Sequence, residues 1–307
     1  MSQTVFIDGG AGTTGLEIAD RLAGRDEFAL LTLDEDRRKD DEARREALNE
    51  ADFVILCLPD DAARDAVAMI ETDKVRVIDA SSAHRTARGW IYGFPEIEGH
   101  REVASARRVS NPGCYPTGFI GLIAPLVRAG MLPADWPYTC NAVSGYSGGG
   151  KAMIGEYTAK PQAAWRGYGL SLGHKHVPEM RQRCGLDHDP VFCPAVVPAY
   201  RGMAVEVPLP LGAMPGTASQ EVLRASLSET YAGSEIVRVH EEVPDTFVVQ
   251  TDMPPSDRLD LYVCASADGA QVRLVAMLDN LGKGAGGAAV QNLNLMAGLS
   301  ETAGLRL

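Results

Sequence analysis

Cys114 is the residue whose type and position offer the most reactive chemistry in this chain. It stands within NPGCYPT, residues 111–117, directly before an apolar helical pattern over residues 118–127. This order places the thiol at or near the N-terminus of a helix, where free backbone amides and the helix dipole stabilise a thiolate. Cysteine is also a common buried apolar residue, but the Asn-Pro-Gly turn argues against simple core packing. We therefore predict that Cys114 is a catalytic nucleophile.

A nucleophilic thiol needs a partner that handles protons, and HKHVPE, residues 174–179, offers candidates. On an extended segment the side chains of His174 and His176 point to opposite faces, so only one imidazole would face the thiol. Glu179 is a candidate to orient that imidazole. Lys175 is a candidate cation for an anionic substrate. The alternative is a surface loop whose histidines are solvated.

A metal site is the other chemistry that histidines and cysteines suggest. Its ligands would be the two histidines of HKHVPE together with Cys184, His188 and Cys193. Their spacing matches no standard zinc pattern, so we predict that the chain holds no metal. The six cysteines are scattered along the sequence and are expected to be thiols, one of them reactive.

A glycine-rich turn near the N-terminus predicts a dinucleotide site. Residues 5–15 read VFIDGGAGTTG, an apolar strand followed by glycines and the start of a helix. The pattern G-x-G-x-x-G allows a tight turn and a close approach of backbone amides to a pyrophosphate at the helix N-terminus. A plain strand-to-helix turn is the alternative. The candidate cofactor contacts are Gly9, Gly10, Gly12, Thr13, Thr14 and Gly15.

The charges after the second strand bear on which cofactor binds. Residues 34–36 are acidic, and an acidic residue here would hold the ribose hydroxyls of NAD. Arg37, Arg38 and Lys39 follow, and such cations would accept the 2′-phosphate of NADP. The three adjacent cations favour NADP, with Arg37 and Arg38 as contacts. The alternative is a solvated charged loop.

The elements that must position these residues follow two different rhythms. The first hundred residues alternate apolar runs with helical patterns, which is typical of a parallel sheet wrapped by helices. The predicted strands are 5–8, 28–33, 52–58 and 75–79, and the predicted helices are 14–23, 40–49 and 60–70. After about residue 135, glycine and proline become frequent and an antiparallel sheet with helices on one face is expected. Its predicted elements are strands 203–209, 247–251 and 259–267, a hairpin turn at Asp268-Gly269 and a helix over 219–231.

Together these patterns predict an α/β chain with a Rossmann-type doubly wound parallel sheet and an inserted α+β domain. The inserted domain is expected to combine a mostly antiparallel sheet with helices. An alanine-rich helix over 284–299 would pack back on the first domain. We therefore predict a cofactor-binding domain of residues 1–113 plus 281–307, and a catalytic domain of residues 114–280.

Composition excludes several classes of partner. The 307 residues carry 29 Lys and Arg against 41 Asp and Glu, a formal charge of −12 that would repel nucleic-acid phosphates. The longest apolar run, 119–127, is interrupted by Gly121 and Pro125 and is too short for a membrane span. The N-terminus shows no secretory signal pattern. We expect a cytoplasmic protein that binds neither nucleic acid nor membrane.

Several of these segments, in the same order, resemble the N-acetyl-gamma-glutamyl-phosphate reductase family of arginine biosynthesis, in its shorter form. NPGCYPT and HKHVPE are the most specific segments, and the early GGAGTTG turn agrees with them. The resemblance covers nearly the whole chain. Further matching stretches are DASSAHR (79–85), YGFPEI (92–97), SGYSGGGK (144–151) and DNLGKGAGGAAVQN (279–292).

The resemblance implies an NADPH-dependent reduction of N-acetyl-glutamyl 5-phosphate to the 5-semialdehyde, with release of phosphate. Cys114 matches the family's nucleophile and His176 its acid–base histidine, with His174 and Glu179 as supporting neighbours. The family's fold is a Rossmann domain completed by the C-terminal helix, with an inserted domain that assembles dimers or tetramers. The resemblance also implies substrate contacts at Arg85 and Ser147, and cofactor contacts at Ser81 and, near the nicotinamide, Asn280.

Other functions stay open at this point. A reductase of the same chemical class could act on an aspartyl or aminoadipyl phosphate, because acyl length is set by the shape of the pocket. A thiol-dependent aldehyde dehydrogenase would run without phosphate. A non-catalytic NADP-binding regulator would keep the Rossmann domain but have an unreactive Cys114.

Overall fold

The computed structural model describes residues 2–159 and 163–307, and their contacts divide the chain into two units. The first unit runs to Pro112 and takes up the chain again from Ala285 to Leu305. The second unit comprises Gly113–Gly284 with Arg306 and Leu307. The end of the chain is tied to the second unit, since the backbone amide of Arg306 donates to Asp257.

The first unit contains a six-stranded sheet in which all neighbouring strands are parallel, in the order β2-β1-β3-β4-β6-β5. The strands are β1 Gln3–Asp8, β2 Phe28–Leu31, β3 Phe53–Leu56, β4 Arg76–Asp79, β5 Ile91–Tyr92 and β6 Arg108–Ser110. Every residue of β3 is buried, as expected for a strand covered on both faces. The four predicted strands are confirmed, although β2 and β3 end two residues earlier than predicted.

Helices cover both faces of this sheet, so the predicted doubly wound fold is confirmed. They are α1 Thr13–Leu22, α2 Asp41–Glu50, α3 Asp60–Ala68, α4 Pro95–Glu98, α5 His100–Ser105 and a C-terminal helix Gly287–Met296. One apolar cluster joins α1, α5 and the C-terminal helix to the strands, through residues such as Ile18, Val103 and Val290. A second cluster joins α2 and α3 to the strands through Leu48 and Ala63.

The second unit contains a seven-stranded mixed sheet in the order β11-β12-β13-β10-β7-β9-β8. Its strands are β7 Thr139–Gly145, β8 Arg166–Gly167, β9 Val191–Val197, β10 Met203–Leu209, β11 Val237–Val239, β12 Leu259–Ala265 and β13 Val272–Leu278. The pairs β7–β9 and β11–β12 are parallel, and the other four neighbouring pairs are antiparallel. The predicted mostly antiparallel sheet is therefore confirmed, as is the hairpin that joins β12 to β13.

The predicted strand over residues 247–251 is wrong. These residues lie in an irregular segment between β11 and β12, and Val248 is exposed. Their composition favours a strand, but a strand also needs a free sheet edge. Both edges of the adjacent β12 are already paired, with β11 and β13. The ring of Phe247 instead packs edge-on against Tyr262 of β12, with centroids 5.0 Å apart.

The α-helices in the described part of the second unit are α6 Cys114–Arg128, α7 Gly150–Ala159, α8 Val177–Cys184 and α9 Gln220–Thr230. α6 is the central one, with every residue from Tyr115 to Leu126 buried. Gly118 lets it approach the sheet closely, because a Cβ at that position would lie 2.8 Å from Cβ of Val205 on β10. The burial of α6 fixes the position of its first residue, Cys114.

No helix within residues 2–159 and 163–307 combines the length and apolar character needed to cross a membrane.

Gly118→Ala is expected to destabilise the protein by about 1–3 kcal/mol, because the added methyl group overpacks the contact between α6 and β10. Gly155→Ala on α7 is the matched control, since a Cβ there meets no atom within 4 Å. In that open position alanine should raise helix stability by roughly 0.5–1 kcal/mol. Urea unfolding of both variants measures the difference. Equal stability of the two would show that α6 does not touch the sheet as tightly as described.

Candidate active site

In the glycine turn of the first unit, two of the glycines lie in very close contact with other parts of the main chain. Gly9 has φ +84°, and a Cβ there would lie 2.3 Å from the carbonyl oxygen of Cys57. A Cβ at Gly15 would lie 2.6 Å from Cα of Gly10, so α1 also packs directly against the turn. Both positions therefore require glycine. Gly12 is the N-cap of α1, and Thr13 and Thr14 are its first two residues.

The chemistry of this turn fits a dinucleotide pyrophosphate. The first turn of α1 carries no acidic side chain, so its positive end is not neutralised. The hydroxyl of Thr13 is buried without a hydrogen-bond partner in the structure, which leaves a donor available for a phosphate oxygen. These residues therefore fit the group that the sequence pattern predicts.

A cavity of about 660 Å³ adjoins the turn, with Asp8, Gly9 and Gly10 in its wall. Three cations, Arg38, Lys39 and Arg44, also line this cavity. Arg44 also forms an ion pair of 2.8 Å with Asp8, and this carboxylate raises the pKa of Arg44.

The remaining charges of the loop lie elsewhere. Asp34, Glu35 and Asp36 are exposed, and Arg38 additionally pairs with Glu35 at 2.5 Å. The predicted contact Arg37 forms a surface ion pair of 3.5 Å with Glu46, and the cavity wall contains its neighbours Arg38 and Lys39 instead.

DASSAHR forms a buried polar loop at the end of β4. Asp79 accepts hydrogen bonds from the amide and the hydroxyl of Ser81, and His84 Nδ1 lies 2.6 Å from the same carboxylate. Arg85 is buried, and its guanidinium donates to the carbonyls of Asn111 and Ala80 at 3.0 and 3.3 Å. Ser81 and Arg85 thus belong to the first unit.

Cys114 is the first residue of α6, as predicted, with Gly113 as the N-cap. The backbone amide of Gly113 donates to Oε2 of the buried Glu179 at 3.2 Å, so Glu179 holds the main chain next to the nucleophile. Gly284 packs on the other side, because a Cβ there would lie 2.9 Å from Cβ of Cys114. The thiol therefore sits at the positive end of a buried helix.

Burial makes the other interior thiols poor nucleophiles. It raises the pKa of Cys57 to about 12, and it raises the pKa of Cys140 and of Cys184 as well. Cys193 is exposed on β9, away from a helix start.

The two histidines lie together, which corrects the expectation that they face opposite ways. Residues 174–176 form a turn into α8 rather than an extended segment, and His176 is the helical N-cap of α8 with φ −85° and ψ −16°. The two imidazole centroids are 4.6 Å apart, and the backbone amide of His176 donates to Nδ1 of His174 at 3.2 Å. His176 is buried, whereas Lys175 between them is exposed.

Tyr115, the residue after Cys114, contacts both histidines. Its ring centroid lies 6.4 Å from that of His174 and 5.9 Å from that of His176. Its hydroxyl donates to the carbonyl of Ala195 and accepts from the hydroxyl of Tyr168. Burial raises the pKa of Tyr168 to about 12 against the lowering effect of this hydrogen bond, and negative charge on Cys114 raises it further. These side chains therefore share one environment with Cys114.

Ser147 and Asn280 also meet in the second unit. Asn280 donates to the hydroxyl of Ser147 at 2.9 Å and accepts from the backbone amide of Gly202 at 3.0 Å. Beside them the buried Arg201 forms an ion pair of 2.8 Å with Asp279. The 144–151 loop is thus tied to residues 279–280, far along the chain.

The sequence reasoning did not single out Tyr115, Tyr168, Arg44 or Arg201. Tyr115 stands inside NPGCYPT next to the nucleophile, and that neighbourhood was the available signal. The positions of the other three depend on contacts between segments far apart in the sequence, and a local sequence pattern does not indicate such contacts.

Across residues 2–159 and 163–307, no cluster of three or more His, Cys, Asp or Glu side chains is arranged to hold a metal ion.

A parallel sheet with a glycine turn, joined to a mixed-sheet unit with a cysteine at a helix start, defines the semialdehyde dehydrogenase class. The family profile described as the semialdehyde dehydrogenase NAD binding domain matches residues 34–106, and the dimerisation-domain profile matches residues 114–280. Solved structures agree on the fold. Aspartate semialdehyde dehydrogenase II from Vibrio cholerae has a TM-score of 0.69 at 18% identity, covering 96% of this chain and 98% of that one. The enzyme from Francisella tularensis has a TM-score of 0.71 at 13% identity, covering 96% and 99%.

Curated relatives narrow the class. N-acetyl-gamma-glutamyl-phosphate reductase 2 of Pseudomonas putida is 50% identical over 308 residues, covering 98% of each chain. The reductases of Trichormus variabilis and Burkholderia orbicola are 47% and 49% identical, each covering 98% of this chain and 98% or 99% of their own. The chain belongs to the N-acetyl-gamma-glutamyl-phosphate reductase family. It is an oxidoreductase with a nicotinamide-cofactor domain, and the family and fold predicted from the sequence are confirmed.

Gly284→Ala is expected to displace Cys114, since the new methyl carbon would also lie 3.0 Å from the carbonyl oxygen of Asp279. A misplacement of about 1 Å at a reacting atom costs on the order of 10²-fold in rate, and we expect kcat to fall by that factor. Cofactor affinity should not change, because the glycine turn lies in the first unit. Steady-state turnover and cofactor titration measure the two effects, with Gly155→Ala as control. Full activity of Gly284→Ala would contradict the described contact.

Proposed function

We propose that this chain reduces N-acetyl-glutamyl 5-phosphate to N-acetyl-glutamate 5-semialdehyde and releases phosphate, with NADPH as reductant and Cys114 as the covalent nucleophile. The observation that carries the proposal is the position of Cys114 at the start of the buried helix α6, beside Tyr115 and the paired histidines. The names of the relatives, which match over nearly their full length, supply the substrate.

The proposed chemistry begins at the helix start. The Cys114 thiolate attacks the acyl-phosphate carbon, the carbon–oxygen bond to phosphate breaks, and a thioester remains on the sulfur. NADPH, when bound, supplies the hydride that reduces this thioester. The oxyanion of the thiohemiacetal is stabilised by backbone amides at the start of α6. His176 protonates that oxygen and then takes the proton back as the carbon–sulfur bond breaks, so that the aldehyde leaves and the Cys114 thiolate is restored.

The remaining candidate residues would bind and position. Glu179 holds the Gly113 amide and so fixes the main chain before the nucleophile. Arg85 and Lys175 are the proposed cations for the anionic groups of the substrate. Ser147 would contact the substrate from the 144–151 loop, with its hydroxyl held by Asn280. Ser81 and Asn280 are the proposed contacts to the nicotinamide half of the cofactor.

NADP is the proposed cofactor because cations in the wall of the cavity beside the glycine turn suit the 2′-phosphate. Arg38, Lys39 and Arg44 line this cavity, whereas its wall contains none of the acidic residues 34–36. Charge-assisted hydrogen bonds from arginine recognise phosphate strongly even in a protein of net charge −12.

Two properties of the protein as a whole complete the proposal. We expect a homo-oligomer, a dimer or tetramer, assembled through residues 114–280, which match a domain described as a dimerisation domain. We also expect a cytoplasmic location. Size-exclusion chromatography with light scattering tests the first expectation.

The reverse reaction tests the function directly. N-acetylglutamate semialdehyde is incubated with NADP, with and without phosphate, while the absorbance of the reduced cofactor is followed. We expect a rate only when phosphate is present. Turnover of aspartate semialdehyde alone would keep the mechanism and change the substrate. A rate that does not need phosphate would indicate an ordinary aldehyde dehydrogenase, and no rate with either aldehyde would favour the non-catalytic regulator.

Cys114→Ser is expected to abolish this rate while cofactor binding persists, because a serine hydroxyl is not ionised at neutral pH and cannot replace the thiolate. The matched control is Cys193→Ser, which changes an exposed thiol on β9 and should leave turnover intact. Turnover and the thioester trapped by acid quench are measured in both. Substantial activity of Cys114→Ser would exclude the covalent route.

Arg38→Ala is expected to raise KM for NADPH by about tenfold or more and to leave KM for NADH unchanged, since a charge-assisted hydrogen bond contributes on the order of 1.5–3 kcal/mol. Arg37→Ala removes the neighbouring charge from the surface and is the control, with a smaller expected effect. Steady-state kinetics with both cofactors measure the ratio. If Arg37→Ala proved the more severe change, the assignment of the phosphate contact would be wrong.

A further inference from the structure

We propose that His174 is a positioning residue, a neutral imidazole that holds the turn carrying His176 and takes no part in proton transfer. The inference rests on the proposed function and divides the roles within the histidine pair. Its basis is the hydrogen bond between the two histidines and the packing around the ring of His174.

The hydrogen bond sets the protonation state of His174. The backbone amide of His176 donates to Nδ1 of His174 at 3.2 Å. A ring nitrogen that accepts a hydrogen bond carries no proton, so a neutral His174 must hold its proton on Nε2. An imidazolium has donors at both nitrogens and could not accept this bond. Protonation of Nδ1 of His174 would therefore place two hydrogen-bond donors, this nitrogen and the amide of His176, face to face at the start of α8.

The same bond fixes the main chain of the acid–base histidine. His176 is the N-cap of α8, and the next amide, that of Val177, donates to the carbonyl of His174 at 3.0 Å. His174 thus accepts two successive amides of the helix start, one with its ring and one with its backbone. This double contact determines where Cα of His176 lies and hence the direction of its side chain.

Aromatic rings from three other segments fix the His174 ring itself. Tyr115 on α6, Tyr168 after β8 and Phe192 on β9 present their rings at centroid distances of 6.4, 5.7 and 5.1 Å, all edge-on. The chain of hydroxyls from Tyr168 to Tyr115 to the carbonyl of Ala195 locks two of these rings. The ring of His174 is held as a packed aromatic group rather than as a mobile one.

The rings that pack against His174 include the titratable side chains of Tyr115, Tyr168 and His176. Lys175 belongs to the same turn and is exposed to solvent, and Cys114 directly precedes Tyr115. Burial raises the pKa of Tyr115 and of Tyr168, so both phenols stay protonated and uncharged at neutral pH. These two phenols therefore pack against His174 without offering it a negative charge.

Two substitutions separate positioning from proton transfer. His174→Asn keeps an acceptor, since Oδ1 of asparagine can stand where Nδ1 stood, but it cannot titrate. His174→Leu has a similar size and no acceptor. We expect His174→Asn to keep kcat within about tenfold of wild type, and His174→Leu to lose on the order of 10²-fold because His176 shifts. His176→Asn, which removes the acid–base group, should lose about 10²–10⁴-fold.

The pH dependence of kcat/KM separates the two roles. Removing a proton-transfer residue removes a limb of the profile, whereas removing a positioning residue leaves both limbs. We expect His174→Asn to keep both limbs of the wild-type profile and His176→Asn to lose one of them. A His174→Asn protein as inactive as His174→Leu, or one that has lost a limb, would overturn the proposal. His188→Asn, at an exposed histidine, is the control and should match wild type.

A spectroscopic measurement keeps the inference testable even if the proposed function fails. The ring ¹⁵N shifts of His174, assigned by their absence in His174→Asn, report the protonation of each nitrogen. We expect an unprotonated Nδ1 and a protonated Nε2 throughout the range of about pH 6 to 8. An Nδ1–H tautomer, or a doubly protonated ring in that range, would refute the proposal. A missing phosphate-dependent rate in wild type would refute the function alone.

Discussion

The main chain between Asn111 and Cys114 is the constraint on which the active site depends. The amide of Asn111 donates to Asp79, its carbonyl accepts from Arg85, and its side chain bonds to Ala285 and Asn292. Two residues later the amide of Gly113 donates to Glu179, and α6 begins at Cys114. A buried backbone held in this way cannot drift, because each broken bond would leave a buried polar group unpaired. Within the second unit, the position of Cys114 follows from the hydrogen bond between Gly113 and Glu179 as well as from the burial of α6.

The features predicted correctly from the sequence are those that depend only on residues close together along the chain. The glycine turn, the start of α6 at Cys114 and the hairpin at Asp268-Gly269 each follow from residue types within a few positions of one another. Where the conformation of a segment depends on contacts with distant residues, the sequence pattern predicted it wrongly or not at all. The histidines were expected on opposite faces because an extended segment was assumed, whereas the turn into α8 places both rings together. Residues 247–251 had the composition of a strand, but they contact β12, whose two edges are already paired.

The charge around each site in this acidic chain is set by the nearby side chains rather than by the net charge of the protein. The cavity beside the glycine turn gathers Arg38, Lys39 and Arg44, although the whole chain carries −12. Elsewhere buried cations such as Arg201 are matched by a carboxylate. Burial likewise holds Cys57, Cys140 and Cys184 as protonated thiols, while Cys114 alone begins a helix. Burial therefore separates these three protonated thiols from Cys114, which lies at a helix N-terminus.

The C-terminal helix has a consequence for the synthesis of the chain. Its residues Val290, Leu293 and Met296 belong to the same apolar cluster as Val5 and Ile18. A nascent chain that has emerged only as far as Pro112 therefore lacks part of the core of the first unit. The second unit is almost continuous in sequence, so its sheet can form before the C-terminal helix of the first unit has emerged. On the ribosome the cofactor-binding unit, although it is made first, is expected to be the last to become complete.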